Sequence, residues 1–327
     1  MTRNMHDFYA HSRPMPLDQA DGLRRMFAGR QRWVLPLVAN PYVPFSGLVL
    51  DRLSAVLSSR LSALLPTVVP VPGCQCIART EPRWKQASVV EEIRRLTLAS
   101  IAAAKDTIYL ENQYFTSPLV AEALAARLVE PDGPEVVLIT TGHAPSWFDQ
   151  ATMDRVRGAM IWRLKASDVF GRFRAFYPIT DGGTDVIVHS KTSVFDDRIA
   201  RVGSANLNNR SGGFDTECEL VVESDDPVTR RGIEAFRDRL VGHFIGYTGD
   251  AIARARRDFG GLGGAIDALN REGRLVPILP EKLGPLSEWM TRCHLGDPYD
   301  VSDSWRIGRR RERLYARVRE FALLKSG

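Results

Sequence analysis

Residues 71–249 predict an α/β lobe built on a mixed β-sheet flanked by helices. Two observations carry that prediction. Stretches with helical and strand patterning alternate along the segment, which is the signature of a layered α/β domain. One of the strands, Glu135–Thr140, is a continuous apolar run of the kind that lies buried on both faces of a sheet. The whole chain has 327 residues, 44% of them hydrophobic and 25% charged. These are ordinary proportions for a globular protein with a sizeable core.

Taken in order, Ser88-Val-Val-Glu91 reads as a capping box, and Val89, Ile93, Leu96 and Ile101 form the apolar stripe of a helix to Ala104. A strand over Thr107–Leu110 follows and runs into Glu111-Asn112-Gln113. Ser117 and Pro118 suit the N-cap and first position of a helix through Val129. After the buried strand come a helix over Asp149–Lys165 and a strand over Arg172–Tyr177. The β-branched run Asp185–His189 predicts another strand, and the hairpin behind it has Asp196-Asp197 in its turn. Cys218–Glu223 reads as a strand with Cys218 as a small core residue. Asp226-Pro227 opens an amphipathic helix carrying Ile233, Phe236, Leu240 and Phe244.

The flanks are less regular. Residues 1–70 form an irregular and helical N-terminal segment, with helical spacing over Leu48–Leu65 that ends at Pro66. Trp33–Leu50 is apolar, but Pro36, Pro41 and Pro44 interrupt it, so it does not read as a membrane span. Nor does the N-terminus read as a secretory leader. Residues 250–327 read as a helical extension, with a flexible Gly-rich turn at Phe259–Gly264 and a basic helix over Arg306–Leu324. That helix suits either packing by its apolar stripe or a resting place on an anionic membrane. The net charge of +5 gives a mild attraction to phosphate or anionic lipid. The four cysteines show no zinc spacing and no disulfide framework, which points to a reducing compartment.

The chemistry concentrates in Val186–Ser211. His189, Lys191 and Asp196 stand as H-x-K-x4-D, and Gly203, Ser204 and Asn206 follow as G-S-x-N. Alternation along a strand puts His189 and Lys191 on one side. An ammonium offers charge-assisted hydrogen bonds to phosphate oxygens, and an imidazole beside it can attack or move a proton. A half-exposed strand with a chance polar pair is the plain alternative, and G-S-x-N at a fixed distance makes chance remote.

HSKTSVFD followed by GSANLNNRS resembles the HKD signature of the phospholipase D superfamily. IYLENQYF (Ile108–Phe115) and GFDTECELVVE (Gly213–Glu223) resemble the segments on either side of the second HKD motif in two-motif phospholipases D. The resemblance covers about Val71 to Gly246. It matches the C-terminal half of a two-motif enzyme, and the H-x-K-x4-D pattern occurs once in the sequence.

The resemblance implies a phospholipase D-like lobe with helices on both faces of a mixed sheet. It also implies a phosphodiesterase that hydrolyses or transphosphatidylates phospholipids through a phosphohistidine, with no cofactor and no metal. His189 is then nucleophile or general acid, the acid being the usual role at the second motif, and Lys191 and Asn206 are phosphate ligands. Asp196 belongs to the motif and reads as a structural partner at the hairpin turn. Glu217 matches a carboxylate that hydrogen-bonds the imidazole, with Asp215 as local competitor and a surface carboxylate as the plain alternative. Ser204 either lends its hydroxyl to the site or holds the loop; Glu111 and Gln113 either line the substrate pocket or anchor it.

The partners implied are a phospholipid and either a second copy of the chain or a separate lobe bearing the first motif. Peripheral membrane contact fits a cytoplasmic protein of this kind. A homodimeric metal-independent endonuclease is the near alternative, although no basic and aromatic stacking platform stands out for nucleic acid. Phosphatidyl transfer of the cardiolipin synthase kind and a non-catalytic remnant that binds lipid or a partner complete the range.

Overall fold

The computed structural model describes residues 74–82, 89–144, 146, 150–279 and 297–298. The N-terminal segment 1–70, with Leu48–Leu65, and the basic helix Arg306–Leu324 lie outside the described residues. In chain order the elements are β1 (Cys74–Glu81), β2 (Val90–Glu91), α1 (Glu92–Ala103), β3 (Thr107–Asn112), α2 (Pro118–Leu128) and β4 (Glu135–Thr140). A π turn over Gln150–Asp154 then leads into α3 (Arg155–Ser167), followed by β5 (Phe173–Pro178), β6 (Lys191–Phe195), β7 (Ile199–Gly203), α4 (Asn209–Gly213) and β8 (Glu217–Glu223). The last are α5 (Pro227–Ile245), α6 (Gly249–Asp258), α7 (Leu262–Leu269) and β9 (Leu275–Pro277).

The described strands join in one mixed sheet ordered β2-β1-β8-β7-β6-β3-β4-β5-β9. β3, β4 and β5 are parallel neighbours, and β6, β7, β8 and β1 continue antiparallel from β3. Period-two alternation sends Ile108, Leu110, Val136, Leu138 and Phe195 to one face, where α1, α2 and α3 cover them. Tyr109, Val137, Ile139, Phe176 and Val194 go to the other face, under α5, α6 and α7. The mixed α/β sheet with helices on both faces is therefore what the chain adopts. No helix among the described residues is long and apolar enough to cross a membrane.

Several local expectations need correction. The run Asp185–His189 is not a ladder strand: it makes one isolated bridge, Ile179 to Asp185, and β6 begins only at Lys191. Its would-be neighbour β3 ends at Asn112, opposite Lys191, so β3 offers residues 186–190 no ladder partner. Helix α1 begins at Glu92 rather than behind Ser88, which is outside the described residues. Val90 and Glu91 are instead drawn into the sheet against Glu81 and Thr80. Cys218 lies on β8 as expected but is exposed, because it falls on the face that α5 leaves bare at that end.

The Gly-rich stretch at 259–264 is a tied turn. Gly260 and Gly261 take positive φ (74° and 130°), and the Glu135 carboxylate accepts from Leu262 N (2.7 Å) and Gly263 N (2.9 Å) at the start of α7. The sheet also runs past residue 249, since β9 pairs with β5.

Candidate active site

The site grows from the open end of the β6–β7 hairpin. Lys191 is the first residue of β6 and pairs with Asn112, the last of β3. Its ammonium donates to the Gln113 side-chain oxygen (3.2 Å) and to the His189 carbonyl (2.8 Å). The second contact ties the Lys191 side chain back to the His189 backbone, and the Lys191 charge reaches the His189 ring although the segment is not a strand. His189 is exposed, whereas Val188 behind it is buried in the core.

Both groups feel partial burial, and His189 also feels the Lys191 charge. Loss of solvent pushes the Lys191 ammonium down to about 8, against the opposing pull of the Glu217 carboxylate. The His189 imidazole is held below its ordinary value, first by burial and then by the Lys191 charge. Around neutral pH the pair is therefore a neutral imidazole beside a weakly held ammonium.

The loop after β7 closes the other side. Gly203 is required there, since a Cβ would overlap the Cys218 carbonyl where β7 and β8 converge. The Ser204 hydroxyl accepts from Cys218 N (3.1 Å) and donates to Glu217. The other Glu217 oxygen accepts from Ser211 Oγ (2.7 Å). Glu217 is thus fixed by two serines, and among the described residues no hydrogen bond joins it to His189. The competitor Asp215 is engaged by Arg210 (3.0 Å).

The remaining predicted residues fall in different places. Glu111 is buried on the opposite face of the sheet, where it accepts from Tyr109 Oη (2.6 Å) and Ser190 Oγ; it anchors the residue between His189 and Lys191. Gln113 reaches the site directly. Asn206 lines a cavity of about 30 Å³ between α1, α2 and α4, and its Oδ1 is buried without a hydrogen-bond partner among the described residues. Asp196 is not in the site. It sits at the far end of β6, about 16 Å along the strand from Lys191. Its carboxylate accepts from Lys105 N (2.7 Å), Asp106 N (2.8 Å) and Thr107 N (2.9 Å).

Three supporting residues went unremarked in the sequence. Asn112 Oδ1 accepts from Leu207 N (3.1 Å) and its Nδ2 donates to Ala205 O (3.2 Å), so it ties the G-S-x-N loop to β3. Its place inside the Glu-Asn-Gln block was the available signal. Ser211 carries both Glu217 and Asn206 N (3.0 Å). Asp297 is buried and accepts from Thr116 Oγ1 (2.8 Å), Asn209 N (2.9 Å) and Arg210 N (2.9 Å), locking the short α4 from beneath. Nothing in its local sequence marks it out.

Residues 97–240 match the family model described as cardiolipin synthase, PLD-like domain. Phospholipase D zeta 1 of Arabidopsis thaliana is 29% identical over 210 residues, which is 50% of this chain and 19% of that protein. A phospholipase D of Phytophthora infestans is 28% identical over 214 residues, or 50% of this chain and 12% of that protein. The chain thus spans about a fifth or less of the length of these relatives. The crystal structure of a phospholipase D family member, Nuc from Salmonella typhimurium, aligns at 18% identity with a TM-score of 0.37, covering 51% of this chain and 93% of that one. The matched segment contains both the H-x-K-x4-D run and the G-S-x-N loop, so residues 97–240 of this chain carry a PLD-like domain of the phospholipase D superfamily.

Proposed function

We propose that this chain cleaves or transfers the phosphodiester of a phospholipid, with His189 as the nucleophile that becomes phosphorylated. The observation that carries this reading is the Lys191 ammonium, partly desolvated and held among the described residues by one backbone oxygen and one amide, immediately beside an exposed imidazole. A phosphate oxygen entering there gains a charge-assisted hydrogen bond and relieves the desolvation of the ammonium. The depressed His189 keeps its lone pair near neutral pH, which suits attack on phosphorus better than proton donation. Asn206 is the second candidate ligand for the phosphate oxygens, once its amide turns from the cavity beneath the loop. Phospholipid is preferred as substrate because the curated relatives are named phospholipases D.

Short-chain phosphatidylcholine in EDTA, with plasmid DNA in parallel, tests the reading. The expected result is choline release by the wild-type chain, none by His189→Ala, and intact plasmid. Nicked plasmid without choline release would replace the lipid by a nucleic acid. A folded wild-type chain that cleaves neither would remove the phosphodiesterase reading altogether.

A further inference from the structure

The loop that carries Asn206 leaves β7 at Gly203 and enters α4 at Asn209. Its middle is tied to the segment behind β3. Leu207 N donates to Asn112 Oδ1 (3.1 Å), and Leu207 O accepts from Thr116 N (2.9 Å) and Ser117 N (3.0 Å). Asn112 is also the strand partner of Lys191, so these bonds set the register of the loop against the residue that bears the ammonium.

The far end of the loop is fixed by a residue 88 positions away from Asn209. Asp297 lies well beyond the matched residues 97–240 and is 2% exposed. Its Oδ2 accepts from Thr116 Oγ1 (2.8 Å) and Asn209 N (2.9 Å), and its Oδ1 accepts from Arg210 N (2.9 Å). Its backbone carbonyl accepts from Asn209 Nδ2 (3.1 Å). One carboxylate thus joins the segment behind β3 to the first turn of α4, across the loop between them. Burial pushes this carboxyl up, and its three donors and the Arg210 charge pull it back.

α4 passes the constraint on to the site. Asn208 caps it by accepting from Ser211 N (2.8 Å). Ser211 Oγ in turn accepts from Asn206 N (3.0 Å) and donates to Glu217 (2.7 Å), the carboxylate whose charge reaches Lys191. A displaced α4 would cost Asn206 its backbone tie and Glu217 one of its two serines.

We infer that Asp297 is a positioning residue of the phosphate site, holding α4 so that Asn206 and Glu217 keep their places relative to Lys191. The C-terminal part of the chain therefore belongs to the working site. The inference rests on the reading of Lys191 and Asn206 as phosphate ligands given above. Asp297 touches none of the reacting atoms and acts only through α4.

Affinity for inorganic phosphate, read by phosphorus NMR line broadening on the full chain below the melting transition of each variant, tests this without requiring turnover. Lys191→Met should abolish the broadening, which locates the bound ion. Asn206→Ala and Asp297→Asn should each weaken binding about tenfold, and the double variant little more than either alone, because Asp297 acts through the loop that Asn206 occupies. If Asp297→Asn does not fold, Thr116→Val decides, since it removes one donor of the three; about threefold weaker binding at an unchanged melting temperature is expected. Affinity within twofold of wild type in the folded Asp297→Asn chain, or in Thr116→Val where that one decides, overturns the inference, as do losses that multiply in the double variant. Phosphate binding that is absent, or that survives Lys191→Met, removes the phosphate site and the inference with it. A chain that binds phosphate at Lys191 but releases no choline loses the phosphodiesterase reading alone, and the affinities still decide the role of Asp297.

Discussion

The two ends of the β6–β7 hairpin carry acidic and basic residues from one short stretch of sequence and treat them in opposite ways. At the turn end every charge is spoken for. Asp196 and Asp197 adopt positive φ (54° and 53°), Asp196 gathers three backbone N–H groups, and Asp197 pairs with the buried Arg237 and with Arg256. Arg237 is shared with Asp238, and Arg256 with Asp238 and Glu234, so the turn is stapled to α5 and α6. At the open end the polar groups are under-used. His189 is exposed, Lys191 has lost part of its hydration, and Asn206 Oδ1 is buried without a partner among the described residues. One end converts charge into rigidity, and the other keeps charge in reserve for a ligand.

The largest effect expected of that difference is at His189. His189→Ala should cost at least about 10⁴-fold in turnover, or roughly 5.5 kcal/mol of transition-state stabilisation, with an unchanged melting temperature. Lys191→Met should cost about 10³-fold in turnover while raising stability by about 1 kcal/mol in urea titrations. The sign follows from linkage. The folded value near 8 lies below the unfolded one, so folding disfavours the ammonium at every pH below about 8, and that cost fades as pH rises toward the unfolded value. Removing the ammonium removes the cost.

The turn end should respond the other way. Asp197→Ala strands part of the charge on Arg237 and should cost about 3 kcal/mol of stability, Asp238 covering the remainder. Asp196→Ala leaves three N–H groups at the strand start without their acceptor and should cost about 2 kcal/mol. Activity per folded molecule should be unchanged in both. A turn-end variant that stays stable but loses turnover would break the division of labour between the two ends.

The smallest effect is the pH profile. Turnover needs a neutral His189 and a charged Lys191, so the acid limb should lie below the ordinary imidazole range. The alkaline limb should lie near pH 8, falling about tenfold per unit above it. An active Lys191→Arg variant should lose the alkaline limb.

Much of this was legible in the sequence, and the failures share a cause. The buried strand Glu135–Thr140 and the helices capped by Ser117 and Asp226 appear as read, because apolar runs and cap residues are local signals. The turn role of Asp196 was also legible, since an Asp-Asp pair between two β-branched runs suits positive φ. The Asp185–His189 strand failed because strand pairing depends on where the neighbour stops, and β3 stops at Asn112. Cys218 failed because burial on a strand depends on whether a helix covers that face. Glu217 lies near Lys191 but is held by Ser204 and Ser211, and no spacing rule separates those partners from an imidazole. Asp297 lies 88 residues from Asn209 and was invisible to any local pattern.

The account stands on His189 as the atom donor to phosphorus. The direct measurement is a rapid alkaline quench of the first turnover on short-chain phosphatidylcholine, followed by peptide mapping by mass. The account predicts an acid-labile adduct of the phosphatidyl group, or of its deacylated glycerophosphoryl remnant after alkali, on the peptide bearing His189 and absent from His189→Ala. An adduct on any other residue, or full turnover by His189→Ala, would contradict it.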